Sequence, residues 1–420
     1  MGLIPSLGSA ISGMDGFLEQ LDVIGNNIAN STTTGFKSSD VTFQNAISQL
    51  IRGATPPGTT AGGTNPLELG LGTNIAAITP NFTQGQLQNT GIPSDLAING
   101  SGLFILQTPQ GQQFTRAGNF SLDANNNLVD PNGNFVQGFQ AVNGVVNTNA
   151  LGNINIPLGQ LTLAEPTSLV TYGGNFNSAT PIGGSFNVTT TAYDSLGTPQ
   201  TLTLTFTAIP TSIPGENEWS YSVAGPVGST ITGSTPGDIF FNNTGALDTT
   251  NSTSGGQPVI TANFANGSNP AQNITLNFSQ FTQLDGQDTA ATVNQNGSAI
   301  GTLNNFSVGQ NGIITGSFTN GLTQILGQVA LANFSNPQGL QAQGNNTYTA
   351  TSNSGTPQIN APNAGGLGAV IGGSLENSNV DLTNELTNLI TTQSAFEASA
   401  RVITTSQTVL GDVIQAMGGV

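Results

Sequence analysis

Apolar residues recur at alternating steps of three and four at both ends of this chain, and the sequence between those ends reads as strands. The first stripe is Ile4, Leu7, Ile11, Met14, Leu18, Leu21 and Ile28, with Gly25 in the remaining slot. The second is longer: Leu382, Leu386, Leu389, Gln393, Phe396, Ala400, Ile403, Gln407, Leu410, Ile414 and Met417. A 3.5-residue repeat favours helices that wrap around partners in a left-handed sense. Asp381 is placed to cap the second helix, with Asn384 and Glu385 in its first turn. Glycines flank both stripes (Gly35; Gly365, Gly366, Gly368, Gly372 and Gly373). The helices therefore have little to bury against except each other and copies of themselves, which predicts an intermolecular bundle.

From about 70 to 370 the pattern is short alternating strands. Thr201-Leu202-Thr203-Leu204-Thr205-Phe206 and Ile274-Thr275-Leu276-Asn277-Phe278 alternate without a fault. Asn-Gly pairs at Asn99-Gly100, Asn132-Gly133, Asn143-Gly144, Asn296-Gly297, Asn311-Gly312 and Asn320-Gly321 predict type I′ hairpin turns. The expected fold is mainly β with α-helical termini that pair as a coiled coil. Its expected parts are a helix over 1–30, a linker or spoke segment over 31–71, and an inner β domain built from 72–171 and 301–372. An outer β domain rich in Thr, Ser, Asn and Gly is inserted over 172–300 and holds the only tryptophan, Trp219; the second helix occupies 373–420. Residues 53–65, with Pro56-Pro57 and Gly62-Gly63, read as a loop.

Missing residue types exclude much chemistry. With no Cys and no His, Ser-His-Asp and Cys-His catalysis, His- or thiolate-bound zinc, haem attachment and disulfides are all ruled out. Only four cations (Lys37, Arg52, Arg116 and Arg401) stand against 21 acids, so nothing can neutralise a phosphate backbone and no nucleic-acid partner is expected. Charged residues are 6% of the chain, so its surface must be mostly uncharged and polar. No apolar run is long enough to span a bilayer. Met1 to Ala10 lacks the basic segment of a cleavable signal peptide.

The remaining acids offer weak candidates. Asp123-Ala124-Asn125-Asn126-Asn127 suggests a calcium loop, but Leu128 and Asn134 stand where an EF-hand needs Gly and Glu. A hairpin turn is the better reading. Glu216/Glu218 and Asp285/Asp288 are the visible carboxylate pairs for a glycosidase, in polar surroundings that look exposed. Asn-X-Ser/Thr sites such as Asn187-Val188-Thr189 arise by chance in so much Asn, Ser and Thr. No catalytic residue, metal site or cofactor is expected.

The string Gly25-Asn26-Asn27-Ile28-Ala29-Asn30-Ser31-Thr32-Thr33-Thr34-Gly35-Phe36-Lys37 reads locally as a helix C-terminus with a left-handed cap. It also resembles the N-terminal signature of the bacterial flagellar axial proteins, the family of rod, hook and hook-associated subunits. Further stretches resemble that family: Ala97 to Phe104, Phe114 to Phe120, Gly327 to Leu340, and Leu375 to Leu382. One departure is Ser394, where the family usually carries Arg after the Gln. The inserted middle makes the chain resemble the hook subunits more than the shorter rod subunits.

The resemblance implies a structural subunit that self-associates into a helical tube, with its terminal helices lining an export channel. It also implies contacts with the distal rod, the hook cap, the hook-filament junction and the export apparatus, at the bacterial flagellum outside the cell. The interface residues expected are Leu7, Ile11, Met14, Leu18 and Leu21, the turn Asn26, Asn27, Ile28, Ala29 and Asn30, and Leu386, Leu389, Phe396, Ile403, Leu410 and Ile414. A rod subunit of the same family is the nearest alternative; a secreted glycosidase or an adhesin is the alternative of another class.

Overall fold

A computed structural model describes residues 3–59, 62–142 and 144–418. The chain divides into two compact units: one of 1–156, 307–315 and 325–420, the other of 157–306 and 316–324.

In the first unit, helix α1 (Leu3–Ala29) and helix α2 (Leu382–Gly418) pair with each other. Asp381 caps α2 as its position predicts, its Oδ1 accepting the Thr383 and Asn384 amides at 2.9 and 3.2 Å. After α1, within the segment expected to be a linker or spoke, comes a two-stranded arm. Strand β1 (Ser39–Asn45) pairs antiparallel with β4 (Thr73–Pro80), and β2 (Ser48–Arg52) with β3 (Leu67–Gly70). Only the tip behaves as the loop expected there. The arm is hard to see in the sequence because Ile47, Leu50, Ile51 and Leu67 are exposed, so one buried face never imposes a clean alternation.

Both halves of the chain contribute to the inner β structure of this unit. The hairpin Leu103–Thr108/Gly111–Thr115 pairs on one side with Leu331–Asn333 and on the other with Thr347–Thr349. Leu96–Asn99 pairs with Ala369–Gly372, and Leu87–Asn89 with Ser374–Glu376. Leu103, Ile105, Phe114, Ala332, Phe334 and Tyr348 form the core between them.

The second unit is a sandwich of two five-stranded sheets. Leu202, Leu204 and Phe206 point inward from one sheet and Ile274, Leu276 and Phe278 from the other, as their alternation predicts. Trp219 is buried among them, and the Phe176 ring packs against Phe186, Phe206, Trp219, Phe241 and Phe281 at centroid distances of 4.8 to 5.2 Å. The unit starts at Pro157, ahead of the expected 172, because Leu169–Asn177 is a central strand of its second sheet.

The Asn-Gly turns differ in type from the expectation. Gly133, Gly312 and Gly321 are left-handed, but the asparagines before them are not, whereas Asn99-Gly100 and Asn296-Gly297 join strands that do not pair with each other and make no hairpin. A single left-handed glycine marks a type I turn followed by a bulge, whereas type I′ needs two such residues. Asn345 and Asn346, both at positive φ, supply that pair between Gln341–Gly344 and Thr347–Thr349. Asn143 lies outside the described residues. The calcium candidate is a turn: Asp123 Oδ1 accepts the Asn125 and Asn127 amides, each at 2.8 Å, and Asp130 does the same for Asn132 and Asn134 at 2.9 and 2.8 Å.

Candidate assembly interface

Helix α1 ends through its own asparagines. The Asn30 side-chain amide donates to the Asn26 carbonyl at 3.0 Å, and Thr33 Oγ1 donates to Asn30 Oδ1 at 3.1 Å. The left-handed residue expected in this string is Gly35 (φ 68), further on than a helix cap would place it. A side chain at Gly35 would meet the Ala117 backbone at 2.5 Å, and that close approach explains the glycine.

From Gly35 onward the two terminal segments close on each other. The Gly35 amide donates to the Glu376 carbonyl at 2.8 Å, and the Ser38 amide to Asn379 Oδ1, also at 2.8 Å. The Asn379 amide group donates in turn to the Asn81 carbonyl at 2.8 Å. Two of the four cations lie in this join. Glu376 Oε1 accepts Lys37 Nζ and the Gly85 amide, both at 2.7 Å, while Oε2 accepts Arg116 Nε at 2.5 Å. Arg116 also donates to the carbonyls of Ile98, Gly100 and Gly102, and Lys37 to that of Thr83. All three charges are out of water. Burial pushes the Lys37 ammonium below the usual lysine range, against the pull of Glu376.

Asn27 fastens the helices to this join. Its side chain donates to the Ser39 carbonyl and to Glu385 Oε1, each at 3.0 Å, and accepts the Ser39 amide at 3.0 Å. Asn27 is therefore buried and bonded within its own chain, a correction to its expected place at a subunit surface. Burial, with Asp40 and Asp381 nearby, raises the Glu385 pKa against the lowering effect of the Asn27 hydrogen bond. A carboxyl whose pKa is higher folded than unfolded favours folding most below the usual glutamate range, and that contribution is lost as pH rises through the raised value. Glu385→Gln, which keeps the acceptor, is expected to raise the thermal midpoint of helical circular dichroism at about pH 7, with the gain vanishing near the ordinary glutamate value of about 4.3. A gain that does not change with pH would reject this account.

The two helices run antiparallel. Asn27 meets Glu385, and fourteen residues away along each helix Gly13 lies near Ser399. On this register Leu3 is level with Val409, and Leu410 and Ile414 lie beyond it. The inward side of α2 repeats every seven residues as buried Glu385, Thr392 and Ser406 with half-buried Ser399, and half-buried Leu389, Phe396 and Ile403 lie between. On α1 the buried side includes Ala10, Gly16, Ile24 and Asn27. Gly16 admits the Phe43 ring of β1, which would lie 2.8 Å from a side chain there. An apolar count misses these positions because most are small or polar; the exact sevenfold spacing on α2 was the available signal.

The expected stripe of α1 lies on the side of the helix away from these contacts. Ile11 and Leu18 are 42% and 45% exposed, and Leu7, Met14, Leu21 and Ile28 are half-buried. Asn26 and Ala29 are exposed and Asn30 is half-buried. On α2 the expected residues divide. Leu389, Phe396 and Ile403 are half-buried beside the seam within the chain. Leu386 and Ile414 are exposed, and Leu410 is half-buried. Ile4 and Met417 lie outside the described side chains. Of the glycosidase candidates, Glu218 is held by the Ser212 amide and hydroxyl at 2.6 and 2.8 Å, and Asp288 Oδ1 accepts the Asn177 amide at 2.7 Å.

Comparison with known proteins shows how the chain is related. It is 38% identical to the flagellar hook protein FlgE of Treponema pallidum, across 98% of this chain and 99% of that one. The chain belongs to the flagellar hook protein family. The hook protein FlgE of Borreliella burgdorferi is 36% identical over 98% of this chain and 99% of its own, and that of Salmonella typhimurium 33% over 97% and 99%. Family models agree segment by segment. The flagella basal body rod protein model matches 7–37, and the hook protein FlgE/F/G D1 domain matches 97–174. The basal body protein FlaE D2 domain matches 160–298, and the basal body rod FlgEFG C-terminal model 371–416. As a hook protein, the chain is a structural subunit of the flagellum. Among the described residues no helix is long and apolar enough to cross a membrane.

Proposed function

We propose that this chain polymerises through the free stripe of α1 into the tube of the hook, a bent joint that carries torque from the motor to the filament. The observation that carries the reading is the second seam on α1. A helix already bound along one side still carries exposed Ile11 and Leu18, with half-buried Leu7, Met14 and Leu21 between them, at coiled-coil spacing. A solvated apolar stripe of this kind is an association site, and contacts that do not close on themselves build a filament instead of a ring. Exposed Leu386 and Ile414 extend the same chemistry onto α2, and the terminal helices then line the central channel.

The partners are those that the resemblance to the axial family implies: the distal rod, the cap and junction proteins, and the export apparatus that delivers the subunit through the channel. The role is mechanical, with no catalytic step. Negative-stain electron microscopy of the purified chain, salted out with sulfate to strengthen apolar burial, tests the reading. Curved tubes are expected. Straight tubes would favour a rod role, and a chain that stays monomeric under every salt condition would sink the proposal.

A further inference from the structure

An asparagine that precedes glycine is open to attack on its own side chain, because glycine has no Cβ to keep its backbone nitrogen from the neighbouring carboxamide. The attack needs that nitrogen free, since an N–H engaged with an acceptor is not available to turn toward Cγ. At most of the Asn-Gly pairs the fold occupies it. The Gly100 amide donates to Gln84 Oε1 at 2.8 Å, and that of Gly297 to Gln295 Oε1 at 2.6 Å. Gly133, Gly312 and Gly321 donate to the carbonyls of Asp130, Gly309 and Phe318 at 3.0, 2.8 and 3.0 Å.

Asn266-Gly267, between the strands Val259–Asn263 and Gln272–Leu284 of the second unit, is different. The Gly267 amide meets no acceptor among the described residues, and both residues are exposed. The carboxamide is nonetheless held in place. Its Oδ1 accepts the Ser268 amide at 3.2 Å, and its Nδ2 donates to Asp194 Oδ2. A side-chain oxygen bonded to the amide two residues on bends the carboxamide back over the nitrogen between them. Cγ is thereby presented to Gly267. Asn311 and Asn320 are bent the same way, through the Ile313 and Leu322 amides at 3.2 Å each, but there the glycine nitrogen is taken. Among the described Asn-Gly pairs, Asn266 alone joins a bent side chain to a free nucleophile.

We propose that Asn266 is the place where the folded chain modifies itself by deamidation. The Gly267 nitrogen bonds to Asn266 Cγ and the Cγ–Nδ2 bond breaks. Nδ2 leaves as ammonia with the proton that Gly267 gives up, and a succinimide closes. Water then opens the ring at either carbonyl, which leaves aspartate or isoaspartate. The hydrogen bond from Ser268 to Oδ1 steadies the charge that gathers on that oxygen during the attack.

The product is a poor fit to its surroundings. Asp194 is fully buried and takes four donors, the Leu196 and Thr198 amides on Oδ1 and the Gln200 and Asn266 carboxamides on Oδ2. Burial works against this charge, and the hydrogen bonds more than offset it, holding the Asp194 pKa below the usual aspartate range. Deamidation removes one donor and sets a second carboxylate in its place, against a charge that has no room to move away. The Asn269 amide, which donates to Ser195 Oγ at 2.8 Å, is left as a tie between this loop and the Asp194 turn. The modification therefore loosens one end of the sandwich, and it accumulates with the age of the subunit.

Full-length monomer is incubated at mildly alkaline pH, unfolded, cut with chymotrypsin and mapped by mass spectrometry. Deamidation at Asn266 is expected to run at least tenfold faster than at Asn311 or Asn320, and the three rates are expected to converge in urea. Gly267→Ala, whose methyl has open space around it, is expected to slow the reaction at Asn266 at least tenfold. Asn266→Asp is expected to lower the thermal midpoint of Trp219 emission, and Asn266→Ala, which removes the donor and adds no charge, to lower it less. Folded chain in which Asn266 reacts no faster than Asn311 and Asn320, or a Gly267→Ala rate equal to wild type, would overturn the site. Asn266→Asp melting with wild type would overturn its consequence. Monomer suffices for every measurement, so the result stands whether or not the chain polymerises.

Discussion

Glu376→Ala is expected to destabilise the first unit by about 3–5 kcal/mol, the cost of leaving buried charges without their partner. Glu376 is fully buried and is the one carboxylate bonded to both Lys37 and Arg116. Its removal strands two cations in a dry site and also releases the Gly85 amide. Domains have only about 5–15 kcal/mol of stability in total, so the loss is a large fraction of what holds this unit. At roughly 2–4 °C per kcal/mol, the melting transition should fall by about 6–20 °C. Trp219 lies in the second unit and supplies an internal control. The calorimetric transition should move while the Trp219 fluorescence transition stays in place. Glu376→Gln, which keeps the shape and loses the charge, should fall between wild type and alanine. An alanine variant within about 1 kcal/mol of wild type would show that water or a rearranged neighbour takes over the carboxylate's part.

Leu18→Asp should abolish assembly without unfolding the chain. Leu18 is nearly half exposed on the side of α1 away from α2, so the isolated subunit loses little by the change. In a polymer the same position would bury an unpaired carboxylate, at a cost of several kcal/mol. Each 1.4 kcal/mol is about a tenfold change in an equilibrium constant, so the concentration needed for polymer should rise by at least two orders of magnitude. Sedimentation after sulfate treatment reads the effect, with circular dichroism as the check on folding. Leu389→Asp provides the contrast. Leu389 is half-buried beside the seam between α1 and α2, so that variant should lose helical signal as well as assembly. If Leu18→Asp assembles normally, the free stripe has no part in the polymer.

These two residues also show what periodicity conveys and what it leaves out. The heptad stripes revealed both helices, because apolar side chains at that spacing gain nothing unless something covers them. They did not reveal what covers them. The contact between α1 and α2 uses Gly13, Asn27, Glu385 and Ser399, residues that a search for apolar side chains passes over. The strands of the sandwich were legible because each has one wet and one dry face, and those of the arm were not because both of its faces meet water. The join at Glu376 was invisible for another reason. Lys37, Arg116 and Glu376 are brought together only by the fold, and no local pattern links residues so far apart in sequence.

That join has a consequence for how the chain meets proteases. Enzymes that cut after lysine or arginine find four places in the whole sequence, and the fold hides Lys37 and Arg116. Digestion of the folded chain is confined to Arg52 in the arm and Arg401 in α2, both exposed. A cut at either hidden site requires the core to open first, so its rate follows the population of the opened state. The folded chain thus presents almost nothing for the commonest digestive specificity to recognise.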